Sequence, residues 1–301
     1  MESNQFIKIS GHNPVSVKWD NRPIPDKIYQ YLRQHFWAAN SYGHLPVGEM
    51  TAIITAADAA TGGGLISLDA AYSIYHLTIK AKIMSGYRRM NNCIDGIGRA
   101  YDRGADILML SAKYDFPPLN LLRGILLRTY DDGKIYNIFA AREPPESVLA
   151  GRDLAQFRLA LANDADSVID AQAIAKTAQA NEDIFVDWVK QWQPKIRTQN
   201  ELAAEQVEQF GRAIITPDLL FAEPVYINGE KIHWIDFKSY VGCDVQFIAK
   251  SNQRQAARYS AKWGKGALCY QLGFVDGLKV GDAMILSCAG LGINFDNSLF
   301  R

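Results

Sequence analysis

The sequence predicts an α/β protein, in which a helical first half is followed by a half where short strands alternate with helices. Apolar residues recur at helical spacing from Pro23 to about residue 140. Beyond residue 195, short apolar runs separated by turn residues indicate strands. Two prolines in residues 142–147 (REPPES) interrupt helix formation and mark a linker. We therefore expect two domains, residues 1–145 and 146–301.

The composition limits the class of protein. Lys+Arg and Asp+Glu balance at 32 each, so any affinity for nucleic acid must come from local basic clusters. The four cysteines are far apart and form no CxxC pair, which argues against structural zinc or a disulfide framework and favours a reducing compartment. The first residues lack a signal-peptide core, and no run of about 18 apolar residues predicts a membrane span. We expect an intracellular protein without membrane contact.

The first half is predicted to be almost entirely helical. Residues 1–23 are expected to be irregular, with one short strand. Ser67 is a typical helix cap, and the glycine triplet before it is expected to end a helix rather than bind phosphate. The predicted helices cover residues 23–40, 48–61, 68–83 and 87–104.

Residues 105–130 predict a helix, a tight turn at 115–117 and a second helix that begins at Pro118. The second helix carries Arg123 and Arg128, and the whole fits either a DNA-binding helix-turn-helix or a plain αα-hairpin. Basic residues upstream are candidates for phosphate contacts or for an ordinary solvated face: Lys80, Lys82, Arg88 and Arg89.

The second half predicts a mixture of elements around one hairpin. Helices are expected at residues 148–162, 166–180, 180–192 and 250–263, and strands at 195–199, 267–274 and 283–287. The hairpin, residues 216–238, has strands around 219–221 and 232–237 joined by Asn228-Gly229, a strong turn signal.

The hairpin concentrates unusual polar residues. Because side chains alternate along a strand, Asp236 and Lys238 share one face and Phe237 points to the other. Asp218 stands at the start of the first strand. Two carboxylates and an ammonium are costly to bury unless they bind a metal or one another.

Metal-assisted phosphodiester hydrolysis would explain this cluster. Asp218, Asp236 and the carbonyl of Phe237 are oxygen ligands of the kind that Mg²⁺ or Mn²⁺ prefers. Lys238 would orient the attacking water or stabilise charge on the phosphate. The alternative is a surface hairpin with an ion pair worth about 0–1 kcal/mol.

A third carboxylate is available upstream, on the helix of residues 180–192. Glu182 is the candidate for completing the metal shell, and Asp187 on the same helix competes with it. The alternative for either acid is a favourable interaction with the dipole at the helix N-terminus.

The helix at residues 250–263 carries a basic stripe. Lys250, Arg254, Arg258 and Lys262 recur every four residues, and Gln255 and Tyr259 follow on the neighbouring face. Cations at this spacing suit successive phosphates of a nucleic acid, with Gln255 and Tyr259 facing the metal or a base. The alternative is an amphipathic helix with a solvated face.

Together these residues resemble a known superfamily. Pro217-Asp218 followed by Asp236-Phe237-Lys238 is similar to the PD-(D/E)XK signature of restriction-endonuclease-like nucleases, and Gln255 with Tyr259 to its QxxxY helix motif. Residues 216–242 and 255–278 resemble the TPD-motif family, which includes the codanin-interacting nuclease. The resemblance covers about residues 182–280, and a weaker one extends back to residue 68. One departure is the stretch 241–244, where the family usually has a Gly-Asp-Glu-like run and a histidine.

The resemblance implies a restriction-endonuclease-like domain, a central mixed sheet flanked by helices, after helix-turn-helix units. It implies metal ligands at Asp218 and Asp236, a catalytic Lys238, and Gln255 and Tyr259 as supporting residues. It further implies Mg²⁺ or Mn²⁺ and a DNA substrate, with RNA open. In a eukaryote it implies a codanin-like partner and a nuclear and cytoplasmic location. A scaffold that has the nuclease fold but binds without cleaving is the alternative.

Overall fold

The computed structural model describes residues 7–11, 14–39, 42–62, 64, 66–140, 146, 148–164 and 171–297. Most of the predicted linker at 142–147 and the start of the predicted helix at 166–180 lie outside these residues. The chain forms two compact units: unit 1 comprises Met1–Gln30, Ile54–Ile74 and Ile174–Arg301, and unit 2 comprises Tyr31–Ile53 and Tyr75–Ala173. No helix in the described ranges is long and apolar enough to cross a membrane.

The protein is mixed α/β, as predicted. In chain order its elements are β1 (Ile7–Ser10), β2 (Ser16–Trp19), α1 (Asp26–Ala38), α2 (Val47–Thr61), α3 (Leu68–Asp102), α4 (Ile107–Tyr114), α5 (Pro118–Leu126), α6 (Asp132–Ala140), α7 (Gly151–Ala162), α8 (Ala171–Lys190), β3 (Ile196–Thr198), α9 (Gln199–Phe210), β4 (Leu219–Ile227), β5 (Glu230–Lys238), α10 (Gln246–Trp263), β6 (Ala267–Tyr270) and β7 (Met284–Ser287).

Unit 1 contains a mixed sheet in the order β1-β2-β4-β5-β6-β7, with β3 paired to the first part of β4. The pairs β1/β2, β3/β4 and β4/β5 are antiparallel, and β2/β4, β5/β6 and β6/β7 are parallel. Because β5 and β6 are parallel neighbours, the chain must cross over between them, and α10 forms that crossover.

The predicted hairpin is confirmed as β4 and β5. Asn228 and Gly229 both have positive φ, 49° and 83°, as a two-residue type I′ turn requires. The strands are longer than predicted, since they extend to the turn on both sides. The Asn228 side chain also binds the backbone of Trp19, accepting its N–H at 2.8 Å and donating to its carbonyl at 3.0 Å.

The expectation of one short strand in residues 1–23 was wrong. The described part of this segment forms an antiparallel pair, β1 and β2, and β2 adds to β4 in parallel. Val17 and Trp19 alternate inward along β2 and are 1% and 2% exposed. Burial of these two apolar side chains stabilises β2, although the sequence around them shows no regular pattern.

Both faces of the sheet in unit 1 are covered by apolar packing. On one face, Phe185, Val186 and Val189 of α8 pack against side chains from β4, β5 and β6. On the other face, Ala256 and Tyr259 of α10 pack with the fully buried Trp234. The rings of Trp234 and Tyr259 meet edge to face at 5.1 Å, which fixes α10 over β5.

Unit 2 is helical and has its own core, which includes Ile107, Leu122 and Phe157. The two helices predicted at residues 68–83 and 87–104 are one continuous helix, α3. Gly86 lies inside this helix, where an added Cβ would be 3.2 Å from the ring of Phe116. This glycine makes room for Phe116 rather than marking a stop.

The predicted helix, turn and helix are present as α4 and α5. Asp115 adopts the left-handed conformation between them (φ 48°), and Pro118 is the first residue of α5. Lys82 was wrong as a phosphate-binding candidate, since it is 5% exposed and forms a 2.7 Å ion pair with Asp115. Both the helix-turn-helix and the plain αα-hairpin are compatible with α4 and α5, and DNA binding stays a prediction.

Helices α6 and α9 were not predicted. For α9 the signal was available: Thr198 and Glu201 form a capping box, in which each side chain receives a hydrogen bond from the other residue's N–H. Gln199 donates its N–H to the carbonyl of Asp218 at 3.0 Å. The start of α9 is therefore tied to the residue that begins β4.

Replacing Thr198 by alanine should lower the free energy of unfolding by about 1 kcal/mol, the usual cost of losing a helix cap. Hydrogen bonds from Thr198 lower the pKa of the Glu201 carboxyl. The capping box therefore stabilises α9 fully at pH values above 4.5, the ordinary pKa of glutamate. That contribution is lost as the pH falls through the lowered pKa.

The measurement is denaturant unfolding at pH 7 and at pH 3.5. Thr51→Ala is the matched control, because Thr51 is an exposed residue inside α2 whose hydroxyl donates to Val47 four residues earlier. A Thr198→Ala effect no larger than the control's, or one that grows at low pH, would contradict the role of the cap.

Candidate functional site

The site lies where β4 begins and β5 ends. Leu219 pairs with Ile235, and one residue further in the same antiparallel register Asp218 stands opposite Asp236. Oδ2 of Asp218 accepts the N–H of Phe237 at 2.6 Å. Asp218 is 5% exposed and Asp236 0%. Two like charges opposite one another are unfavourable unless a cation lies nearby.

The alternation predicted along β5 is confirmed. Phe237 enters the core on the α8 side, where its ring stacks on Phe185 at 5.1 Å. Asp236 and Lys238 share the other side, and Lys238 forms an ion pair with Oδ2 of Asp236. The acid and the lysine are therefore buried partners, which excludes the alternative of an exposed pair on a surface hairpin.

Gln255 and Tyr259 join this pair in one hydrogen-bonded network. Lys238 Nζ donates to Gln255 Oε1 at 2.9 Å, and Gln255 Nε2 donates to Tyr259 Oη at 2.9 Å and to Asp236 Oδ1 at 3.4 Å. Tyr259 in turn donates to the carbonyl of Thr216 at 3.0 Å. Because Gln255 and Tyr259 are one turn apart on α10, both side chains reach the same point of β5.

The electrostatics of the site are dominated by burial. Burial raises the pKa of Asp218 well above its usual range, and the charges of Asp236 and Glu182 add to the shift. Burial also raises the pKa of Asp236, an effect that Lys238 opposes. For Lys238, burial lowers the pKa but the Asp236 carboxylate outweighs it, and the net pKa lies above its usual value. The ammonium is thus retained, and burial disfavours the charged forms of both aspartates, which a bound cation would stabilise.

The donor set fits a hard divalent cation. Oδ2 of Asp236 is buried and forms an ion pair with the ammonium of Lys238, and a divalent cation would share this oxygen. Asp218 uses only one of its two oxygens to bind Phe237. No group of three His, Cys, Asp or Glu residues in the described ranges is close enough to hold a metal. Two carboxylates and a carbonyl suit Mg²⁺ or Mn²⁺, which keep water and substrate oxygens as further ligands.

Of the two candidates for a third carboxylate, Glu182 is nearer to the cluster. Burial raises the pKa of Glu182, and the charge of Asp236 adds to the rise. The side chain of Asp187 is 73% exposed and forms a 3.2 Å ion pair with Lys190. Glu182 is therefore the more buried of the two candidates and the one that interacts electrostatically with Asp236.

Two cavities of opposite charge border the cluster. One, of about 330 Å³, contains Asp218 and Glu182 in its wall and is lined by four carboxylates and one lysine. The other, of about 570 Å³, contains Gln255 and Tyr259 in its wall and is lined by three cations and no carboxylate. We call them the acidic cavity and the basic cavity.

Three of the four residues in the basic stripe of α10 line the basic cavity, and the fourth does not. All four of its residues are exposed, and Lys250, Arg254 and Arg258 line the basic cavity. Arg258 also donates to the carbonyl of Ile214 at 2.5 Å. Lys262 is not in the cavity wall, and its ammonium lies 4.7 Å from the ring of Trp263.

The two arginines predicted to contact nucleic acid in unit 2 differ in their surroundings. Arg123 is exposed on α5. Arg128 donates to Asp102 at 3.1 Å and lies 4.0 Å from Asp95, so two carboxylates already neutralise its charge. Arg123 is therefore the better candidate for a phosphate contact.

One residue important to the site was missed in the sequence. Gln206 of α9 is 5% exposed and holds the segment that precedes Asp218. It accepts the N–H groups of Ile214 and Ile215, each at 2.8 Å, and donates to the carbonyl of Ile215 at 2.6 Å. An isolated glutamine on a helix gives no sequence signal for such contacts.

Comparison with known proteins identifies the region that contains the whole network. Residues 151–289 match the family described as "Protein of unknown function TPD sequence-motif". The match supports the resemblance of this region to the TPD-motif family. It includes Glu182, Asp218, Lys238 and the Gln255–Tyr259 pair, so the candidate site lies within the TPD-motif region.

A curated relative is the "Uncharacterized protein L539" of Acanthamoeba polyphaga mimivirus. It is 28% identical over 106 residues, which make up 34% of this chain and 36% of the viral protein. The aligned region thus spans about a third of that relative's length. No solved structure matches the chain significantly.

Replacing Lys238 by methionine should destabilise the protein because it leaves Asp236 buried without its partner. The expected loss is about 3–5 kcal/mol for a fully buried pair, and somewhat less for Lys238, whose side chain is 14% exposed. Adding Asp236→Asn to Lys238→Met should restore much of the loss, because no uncompensated charge remains.

Denaturant unfolding of the two single variants and the double variant measures this coupling. Lys250→Met removes an exposed lysine from α10 and should change stability by no more than about 0.5 kcal/mol. A double variant as unstable as Lys238→Met alone would contradict the buried ion pair.

Proposed function

We propose that unit 1 is a divalent-metal-dependent nuclease with a restriction-endonuclease-like fold, and that it hydrolyses phosphodiester bonds of DNA. One observation carries the proposal: Asp218, Asp236, Lys238, Gln255 and Tyr259 meet at one end of β5. Each has a partner that fixes its position, and the one ammonium of Lys238 faces the two carboxylates.

The residues would hold the ion as follows. Asp218 and Asp236, with the carbonyl of Phe237, would be the protein ligands, and Glu182 would support them from α8. The ion would lower the pKa of a bound water and neutralise charge on the phosphate. Asp218 would also fix the end of β5 through the N–H of Phe237.

Lys238 would act on the phosphate. Its ammonium is held by Asp236 and Gln255, and its raised pKa keeps it charged. A fixed positive charge stabilises the transition state without reorganisation, which is the main electrostatic contribution to such reactions. Burial raises the pKa of the Tyr259 phenol, so Tyr259 stays neutral, accepts the hydrogen bond of Gln255 and donates to the carbonyl of Thr216.

The charge of the two cavities supports a nucleic acid substrate. The basic cavity would attract phosphates, whereas the acidic cavity repels them and attracts cations. The network of Gln255 and Tyr259 borders the first, and Asp218 borders the second. A strand bound along Lys250 and Arg254 would therefore present a phosphate to the carboxylates.

The other parts of the proposal concern the substrate and partners. The helix-turn-helix of α4 and α5, with Arg123 exposed, would bind DNA in unit 2. RNA is a second possible substrate. In a eukaryotic cell, the proposal includes a nuclear and cytoplasmic location and a codanin-like protein partner.

The test is cleavage of a panel of single-stranded, flapped, branched and duplex DNAs with Mg²⁺ or Mn²⁺. Asp218→Asn should lower the rate by more than about 100-fold, because a lost metal ligand costs more than the 10–100-fold typical of outer-shell groups. Glu182→Gln should lower the cleavage rate by about 10–100-fold, as expected for an outer-shell group. Asp187→Asn, the matched control in the same cavity, should change the rate by no more than about twofold.

Thermal melting of each variant confirms that it is folded. Cleavage that survives EDTA, or an Asp218→Asn variant with wild-type activity, would contradict the mechanism. Binding without cleavage by the wild-type protein across the whole panel would favour the non-cleaving scaffold.

A further inference from the structure

The basic cavity has apolar residues that a phosphate-binding surface does not need. Phe247 and Ile214, which both line it, are 36% and 43% exposed. Among the described residues, no aromatic ring packs against Phe247. The cavity therefore presents an open aromatic ring beside its cations.

The cations of this cavity are available for binding. Lys250 and Arg254 are exposed, and neither forms an ion pair with a carboxylate of the described residues. Phe247, Arg254 and Arg258 follow one another at spacings of seven and four residues, which places them along one face of α10. An aromatic ring and two positive side chains are thus aligned on a single helix.

This combination suits unpaired nucleotides better than duplex. A duplex presents its phosphates to a protein surface and keeps the faces of its bases stacked inside. A single strand exposes those faces, and aromatic side chains beside a basic groove bind them with little dependence on sequence. The volume of about 570 Å³ lies within the range of pockets that enclose small ligands.

We propose that the basic cavity binds an unpaired nucleotide of the substrate strand, with its base stacked on Phe247 and neighbouring phosphates bound by Lys250 and Arg254. This inference rests on the proposed function and names its substrate class, which is single-stranded DNA or the single-stranded arm of a flap. Because Gln255 lines the cavity and binds Lys238 at 2.9 Å, the bound strand lies next to the catalytic lysine.

The experiment measures equilibrium binding by fluorescence anisotropy in EDTA, so that no cleavage occurs. The probes are a labelled single-stranded DNA of 20 nucleotides, a blunt duplex of the same sequence, and the corresponding single-stranded RNA. Phe247→Ala should weaken binding of the single strand by about tenfold or more, the effect of losing one stacking platform. Its affinity for the duplex should change by less than about twofold, because phosphates are bound by other groups.

The control variants separate stacking from charge and from hydrophobicity. Phe210→Ala removes a phenylalanine that is 59% exposed on α9 and does not line the cavity, and it should leave single-strand binding unchanged. Phe247→Trp should retain binding, whereas Phe247→Leu, which keeps apolar bulk without a ring, should weaken it as alanine does. Arg254→Ala should weaken binding of both the single strand and the duplex. It should also lower the salt dependence of the binding affinity by the amount expected for about one phosphate contact.

The inference is overturned if the wild-type protein does not bind the single strand, or if Phe247→Ala affects single strand and duplex equally or neither. If Phe247→Leu weakens single-strand binding as Phe247→Ala does, a folding defect confined to the alanine variant does not explain the loss. The RNA probe shows whether the subsite depends on the sugar. Phe247-dependent binding by a protein that cleaves none of the panel would refute the proposed function and retain the binding surface.

Discussion

The buried pair of Asp236 and Lys238 is the interaction on which the site depends. Asp236 is fully buried, and the ammonium of Lys238 forms an ion pair with its carboxylate. Asp218 stands opposite in the register of β4 and β5, so the lysine alone cannot neutralise the cluster. Removing one member of such a group costs more than the pair contributes, because a buried charge remains. A divalent cation would resolve this imbalance.

The rest of unit 1 brings the necessary side chains to this point. Trp234 fixes α10 against β5, so Gln255 reaches Lys238 and Tyr259 accepts a hydrogen bond from Gln255. Gln206 of α9 holds the segment before Asp218, and Thr216 in that segment accepts the hydroxyl of Tyr259. Elements distant in sequence thus converge on one short stretch of sheet. The two cavities beside the site carry opposite charge, one lined mainly by carboxylates and the other by cations.

The sequence was most informative where a local period determined the structure. Alternation along β5 and the Asn228-Gly229 turn predicted the hairpin and the shared face of Asp236 and Lys238. It was least informative where a distant contact decided the outcome. Gly86 lies inside the continuous helix α3 and leaves room for the ring of Phe116, and Lys82 is buried with Asp115 as its ion-pair partner. Neither partner is visible in the local pattern, and the same holds for β2, whose pairing partner is β4.

A crystal of the protein soaked in Mn²⁺ tests the central claim most directly, since the anomalous signal locates the ion. The account predicts one ion bound by oxygens of both Asp218 and Asp236 at about 2.0–2.2 Å, with Asp187 taking no part. It also predicts that the ion is absent from an Asp218→Asn crystal soaked in the same way. An ion bound elsewhere in the acidic cavity, without either aspartate, or no ion in the wild-type crystal, would contradict the account.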